Sequence, residues 1–314
     1  MEVITDLENY PYIHNGVITV GTFDGVHLAH QAVIQRVITL AQSLKAVSTA
    51  VTFEPHPRLL LNKDTEKHIS ILATIEEKIE LISGLGVDRL VIIPFTKEFS
   101  EISPESFIVD ILYKTIGMHT FIIGYRHGFG KNRAGNVAFL RELEENYDFK
   151  VFVQEPIANQ YGLISSTRIR EFIEQGNIEA ARNCLGRHYS LSGMVIPGDG
   201  RGKSIGYQTA NIQLNNPYKC IPADGVYAVY ITIEGTAYSG VMYVGTRPTF
   251  HLSEKSLEVH IFDFKNVIYE KTIKVIVIQR IRGDKQFKSI ESLREQINVD
   301  IVNAKKILNN SSVQ

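Results

Sequence analysis

Four short stretches in the first half of the chain carry residue types that handle phosphate. Gly21-Thr22-Phe23-Asp24-Gly25-Val26-His27-Leu28-Ala29-His30 couples a glycine turn to two histidines three positions apart. Backbone amides and a helix dipole at such a turn suit an anion, and imidazoles there can donate to charge developing on a transferring phosphoryl group. Gly21, Phe23, Asp24 and Gly25 are therefore candidate phosphate-loop residues, with His27 and His30 as candidate catalytic donors. Zinc is the weaker reading, because no cysteine or clear carboxylate completes a ligand set nearby. Ser165-Ser166-Thr167-Arg168-Ile169-Arg170 puts hydroxyls and then cations at the start of a helix expected to run to about Glu174, a second anion site. Phe53-Glu54-Pro55-His56-Pro57 and the glycine-rich stretch 124–135, with Lys131 and Arg133, complete the set. Each alone reads as a tight turn, a cap or a solvated basic face. Their convergence on one edge of a sheet is what favours a site.

The second half holds Gly198-Asp199-Gly200-Arg201-Gly202-Lys203-Ser204, followed by Thr209-Ala210-Asn211. The ending Gly-Lys-Ser resembles a P-loop, but the required first glycine falls on Pro197, and alternating strands rather than a βαβ unit surround it. What remains is a glycine loop with Arg201 and Lys203, able to approach polyphosphate through its backbone. Thr209 and Asn211 share one face of a strand and offer neutral oxygens suited to a phosphate-bound magnesium ion. Glu258 shares a strand face with His260 and Phe262, opposite Leu257, Val259 and Ile261; by pattern alone it reads as a solvated glutamate.

Two kinds of scaffold must position these residues. Apolar, β-branched runs at 17–23, 47–53, 89–94, 120–124 and 151–153 recur about every thirty residues, the length of a βαβ unit. Helical signals fill the gaps, including an apolar stripe through Ala32, Val33, Val37, Leu40, Ala41 and Leu44, and the cap, proline and acid of Ser103-Pro104-Glu105. The expectation is an α/β doubly wound parallel sheet over 1–185, with binding sites beyond the carboxyl ends of its strands. From about Tyr189 the rhythm changes to alternation, with strands at 225–233, 237–244, 257–264 and 272–281. This predicts a small antiparallel β-barrel over 186–314, closed by a helix from Ser289 whose apolar residues Ile290, Leu293, Ile297, Ile301, Ala304 and Leu308 form one face.

Composition narrows the function. The 314 residues are 44% hydrophobic, enough for two ordinary cores and against a disordered chain. Lys and Arg number 33 against 34 Asp and Glu, so the formal charge of −1 gives no bias toward nucleic acid or an anionic membrane. The two cysteines, Cys184 and Cys220, build no disulfide framework and fit a cytoplasmic chain. The acidic start and the lack of an apolar run near the roughly 18 residues of a membrane span read as soluble and unprocessed.

The ordered set of motifs in the first half resembles the adenylyltransferase domain of the bacterial bifunctional riboflavin kinase and FAD synthetase family, itself a branch of the nucleotidyltransferases with a His-x-Gly-His signature. The second half resembles that family's riboflavin kinase domain, through Gly-x-Gly-x-Gly before Thr209-Ala210-Asn211, then Pro222-Ala223-Asp224-Gly225-Val226-Tyr227, Gly245-Thr246-Arg247-Pro248-Thr249 and Glu258. The resemblance covers nearly the whole chain. It implies phosphorylation of riboflavin to FMN and adenylylation of FMN to FAD, with ATP as co-substrate and Mg²⁺ as cofactor. It makes Glu258 the base for the ribityl 5′-hydroxyl, Thr209 and Asn211 the magnesium ligands, and Gly198, Gly200, Arg201, Gly202 and Lys203 the phosphate loop. His27, His30, Ser165, Ser166, Thr167 and Arg168 become transition-state donors and pyrophosphate clamps, while Phe53, Pro55, His56, Pro57, Arg126 and Arg247 fall in flavin-binding motifs. The implied partners are small molecules, with no nucleic acid or membrane. Three positions depart from the family pattern: Ala29 for glycine, Arg126 for an acidic or amide residue, and Gln208 for proline. They leave two alternatives, a riboflavin kinase with an impaired adenylyltransferase half and a non-catalytic flavin- or nucleotide-binding regulator.

Overall fold

The computed structural model describes residues 1–61, 69–125, 128–131, 134–198, 206–248 and 253–310, the side chains at 247, 248, 253 and 254 excepted. The chain forms two compact units, Met1–Ser166 and Thr167–Gln314.

The first unit is built on a parallel sheet of order β1-β4-β3-β2-β5-β6. Its strands are β1 (Glu2–Ile4), β2 (Gly16–Val20), β3 (Ser48–Glu54), β4 (Arg89–Pro94), β5 (Met118–Gly124) and β6 (Lys150–Gln154). Five agree with the expected runs; β1, only three residues long, carries too little pattern to be read and pairs on β4. Every residue of β2 is buried, as a strand covered on both faces requires. Helix α1 (Leu28–Leu44) buries Ile34, Val37, Ile38 and Ala41 and ends on Lys45 in the left-handed region. Short α2 (Pro57–Leu61) follows β3, and α3 (Ile75–Ser83) opens with a capping box between Thr74 and Glu77. Helices α4 (Lys97–Ser100) and α5 (Pro104–Ser106) follow β4, each with a side-chain N-cap; Ser103 caps α5 as its Ser-Pro-Glu start predicts, and the chain continues as a π-helical stretch, Phe107–Thr115. Helix α6 (Val137–Asn146) precedes β6, and a short antiparallel pair, β7 (Ala158–Asn159) and β8 (Gly162–Leu163), leads to α7 (Ser166–Glu174).

Most of α7, and α8 (Ile178–Leu185), belong to the second unit. There the Ala223 amide bonds the Ile173 carbonyl at 3.2 Å, and Arg280 Nη1 bonds the Gln175 carbonyl at 3.4 Å. The unit is a closed antiparallel barrel of order β10-β13-β12-β11-β14-β9. Its strands are β9 (Tyr189–Ile196), β10 (Ala210–Leu214), β11 (Gly225–Ile233), β12 (Thr236–Pro248), β13 (Ser253–Ile261) and β14 (Thr272–Gly283). Tyr227, Val229 and Ile231 alternate to one wall and are fully buried, while Val226 and Ala228 meet Ala304 and Leu308 of α9 (Ile290–Asn309) on the other. The final helix packs on the barrel as its stripe predicts.

Candidate active sites

In the first unit the chain passes from β2 through β3 to β4 on one side and returns to place β5 on the other. The crevice beyond the carboxyl ends of β2 and β5 is thus the topological switch point, and the 21–30 stretch leaves β2 into it. Gly21 makes the last ladder bond, to the Val51 carbonyl at 3.0 Å. Beyond it the backbone leaves regular geometry: φ is 45° at Phe23, 80° at Gly25 and 40° at Val26. For Phe and a β-branched Val this left-handed region costs of order 1–3 kcal/mol each and persists only where neighbours hold it. Asp24 is one holder. Its buried carboxylate accepts the Leu72 and Ala73 amides at 2.8 and 3.2 Å, tying the loop to the segment before α3.

His27 caps α1, its Nδ1 accepting the His30 amide at 3.4 Å, which leaves Nε2 as the proton-bearing nitrogen. The His27 and His30 rings stack at 3.6 Å between centroids, and Phe23 meets His30 edge-on at 5.4 Å. The turn therefore presents two imidazoles as one stacked block at a helix N-terminus. Ser166 Oγ donates to the Asp24 carbonyl at 2.9 Å, so this hydroxyl reaches the same loop. Thr167 accepts from Arg170 Nη2 at 3.3 Å, and the Arg168 guanidinium lies 5.8 Å from the Phe172 ring centre.

Phe53 ends β3 in an aromatic group with Phe95, Phe99 and Phe107, its ring centres 5.7, 5.8 and 6.3 Å away. Phe129 joins through Phe107 at 6.0 Å, against Gly135, where any Cβ would strike its ring. Buried His56 accepts the Arg58 amide at 3.1 Å, whereas Pro55 is exposed and Pro57 half-buried. Lys131 forms a surface ion pair with Glu101 at 2.7 Å. Arg126 and Arg133 lie outside the described residues. One group that no sequence motif marks is Lys78 of α3, whose ammonium is buried beneath the ends of β2 and β3; burial pulls it below the usual lysine range and pushes its neighbour Glu54 up.

In the second unit sheet register assembles the site. Asn211 faces Glu258 across β10 and β13, Glu258 faces Tyr243 across β12, Tyr243 faces Val226, and Val226 faces Arg282 on β14. Opposed residues share a face, so these five form one row on the wall beneath α9. Glu258, Tyr243, Val226 and Arg282 line a cavity of about 310 Å³ with Thr209, and Leu293, Ile297 and Asp300 of α9 cover it. The Arg282 fork holds that cover: Nε lies 3.1 and 3.0 Å from the two Asp300 oxygens and Nη2 2.9 Å from Oδ2, with Gln296 adding a bond at 3.0 Å. Tyr243 donates to Asp284 at 3.1 Å; burial, then that carboxylate, pushes its phenol up to about 12.

The Gln208 departure has a local answer. Its carbonyl accepts His260 Nδ1–H at 2.8 Å, and Tyr207 donates to Asn298 of α9 at 2.8 Å, so hydrogen bonds pin the turn that leads to Thr209. Gly198 lies against Asn211, whose Nδ2 would stand 1.9 Å from any Cβ at 198. The start of the glycine loop thus touches the same asparagine that faces Glu258. Gly200, Arg201, Gly202 and Lys203 lie outside the described residues, as does the Arg247 side chain. Among the described residues no group of three or more His, Cys, Asp or Glu is placed to hold a metal ion.

Comparison with known proteins settles the relationship. The FAD synthetase family pattern matches residues 11–168, and the riboflavin kinase pattern matches 185–308. A bifunctional riboflavin kinase/FMN adenylyltransferase from Buchnera aphidicola subsp. Schizaphis graminum is 37% identical, with 98% of this chain and 99% of that protein covered. The chain belongs to this bifunctional flavin-enzyme family. The member from Bacillus subtilis is 36% identical over 90% of both chains, and the one from Escherichia coli K12 is 31% identical over 92% of both. A crystal structure from Streptococcus pneumoniae, named a macrolide-efflux protein, is 29% identical with a TM-score of 0.87 over 99% of both chains. Among the described residues of the present family member no helix is long and apolar enough to cross a membrane.

Proposed function

We propose that the barrel unit phosphorylates riboflavin to FMN with ATP, and that the sheet unit transfers the adenylyl group of a second ATP to FMN, forming FAD and releasing pyrophosphate. The observation that carries the reading is Glu258 and Thr209 facing one apolar cavity beneath α9, in a chain whose two halves belong to the two families. The cavity's volume suits a fused ring system. With the isoalloxazine there, the ribityl 5′-hydroxyl reaches the Glu258 carboxylate, which accepts its proton as the oxygen attacks the ATP γ-phosphorus. Residues 198–203, Gly200, Arg201, Gly202 and Lys203 among them, cradle the phosphates, and Arg247 borders the flavin.

Thr209 and Asn211 would supply hard, neutral oxygens suited to Mg²⁺, and Gly198, at the start of the loop, lies against Asn211. The ion, when bound, neutralises phosphate charge. In the sheet unit the FMN phosphate is already ionised, so attack on the ATP α-phosphorus requires no protein base. The stacked His27 and His30 donate to the developing charge, Gly21, Phe23, Asp24 and Gly25 form the turn around the phosphates, and Ser165, Ser166, Thr167 and Arg168 hold the departing pyrophosphate. Phe53, Pro55, His56, Pro57 and Arg126 border the FMN ring. The gap between the two family matches, 169–184, supports a functional boundary near 185. Two buried cysteines that form no disulfide support a cytoplasmic protein.

The test is to incubate the purified chain with riboflavin, ATP and Mg²⁺ and resolve the flavins by chromatography. FMN followed by FAD is expected. FMN alone would place the failure in the sheet unit, and neither product would overturn the reading.

A further inference from the structure

Lys78 is 1% exposed, on a helix whose neighbouring glutamates would suggest a solvated face. Its Nζ lies 3.5 Å from the Thr22 carbonyl, 3.4 Å from the Phe53 carbonyl and 3.9 Å from Glu54 Oε2. The ammonium thus donates to two carbonyls and pairs with one carboxylate at the carboxyl ends of two adjacent strands. Thr22 follows the last ladder bond of β2 and precedes Phe23, where φ turns positive. Its carbonyl, which regular pairing would give to a neighbouring strand, instead receives the Lys78 ammonium and, at 3.3 Å, the Thr52 hydroxyl. The turn is therefore gripped at two places, by Lys78 of α3 and, through Asp24, by the Leu72 and Ala73 amides of the segment before that helix.

We propose that Lys78 is a positioning residue for adenylyl transfer: it holds the 21–27 turn in the left-handed backbone that presents His27 and His30, and it fixes that turn against the end of β3. The proposal rests on the reading of this turn as the transfer site. The lysine itself is sealed from the crevice and acts through backbone carbonyls. Without its charge, the Phe53 and Thr22 carbonyls lose the ammonium, the Thr22 carbonyl keeping the Thr52 hydroxyl, and Phe23 and Val26 lose part of what keeps them at positive φ.

The experiment compares full-length wild type, Lys78→Met and Glu54→Gln by steady-state kinetics of both reactions and by hydrogen exchange resolved to peptides. In Lys78→Met, kcat for FAD formation falls about tenfold to a hundredfold while the KM values for ATP and FMN move by less than about threefold. Riboflavin phosphorylation stays unchanged. Amides of 21–27 exchange about tenfold faster, and those of β4 keep their protection. Glu54→Gln gives the same pattern at smaller size, about twofold to fivefold, and carries the test if Lys78→Met does not fold. Unchanged exchange at 21–27, or protection lost equally from β3 and β4 as a merely structural lysine would cause, overturns the proposal. His30→Ala separates the underlying reading: intact FAD formation in that variant removes the transfer site, while the exchange data still judge the clamp.

Discussion

In the sheet unit the two candidate histidines follow one turn with residues at positive φ, and that turn is bonded by Leu72, Ala73, Lys78 and Ser166 from other parts of the chain. In the barrel unit ladder pairing sets Asn211, Glu258, Tyr243, Val226 and Arg282 in a row across five strands, with one register shift directly after Val226 in the β11–β14 pair. The first centre stores its geometry in backbone conformation and the second in register. A turn of that kind is vulnerable to changes at the residues that brace it. A register-built row is locally robust, since one side chain can change without moving its neighbours, but its cavity depends on the α9 cover.

The largest effects test whether the two centres are separate. Glu258→Gln removes the base while keeping size, and riboflavin phosphorylation falls by about 10²–10⁴-fold. FAD formation from added FMN is unchanged in that variant. His30→Ala gives the converse, with FAD formation reduced about a hundredfold and FMN formation intact. Parallel loss of both activities in either variant, with the fold retained by circular dichroism, breaks the division between the centres.

Next in size is the cover. Asp300 is 3% exposed and accepts three bonds from Arg282, so Asp300→Ala leaves a guanidinium partly buried without its partner. The expected cost is about 3–5 kcal/mol in denaturant unfolding of the barrel unit, with the riboflavin KM rising more than kcat falls. A rise in KM for ATP with riboflavin KM unchanged would show that α9 covers something other than the flavin cavity.

The same contrast explains what the sequence disclosed. The five longer strands of the sheet and the apolar stripe of α9 are local periodicities and were legible, as was the alternation that sets Glu258 and His260 against Leu257 and Val259. The pairing of Asn211 with Glu258 was not, because 47 residues separate them (258 − 211) and only barrel closure chooses the register. Lys78 was hidden for a different reason. Glu76-Glu77-Lys78-Ile79-Glu80 reads as an exposed, charged helix, and only the packing of α3 against the sheet turns that one position inward. The Arg282–Asp300 pair and Tyr243 had no motif, since their roles come from contacts between β14, β12 and α9.

The smallest effect sharpens the comparison through pH. Tyr227 is fully buried inside the barrel, donates to the Ala223 carbonyl, and burial pushes its phenol from 10 up to about 12. A group raised in this way contributes stability that is complete below pH 10 and is lost as pH rises through 12, because the unfolded chain releases the proton first. Lys78 has the opposite sign. Its folded value is lowered beneath the usual 10.5, so the unfolded chain holds the extra proton and the sheet unit gains stability as pH climbs toward 10.5. A phenol raised that far, discounted for solvent screening, is worth about 2 kcal/mol to the folded barrel. Denaturant midpoints followed by circular dichroism, the chain having no tryptophan, should show wild type losing about that much relative to Tyr227→Phe between pH 10 and 12. The hydroxyl's hydrogen bond adds an offset below pH 10 that is independent of pH, so the difference in slope isolates burial. Parallel slopes would mean that water reaches the phenol, and the interior wall on which the Glu258 strand is laid would then be looser than its register implies.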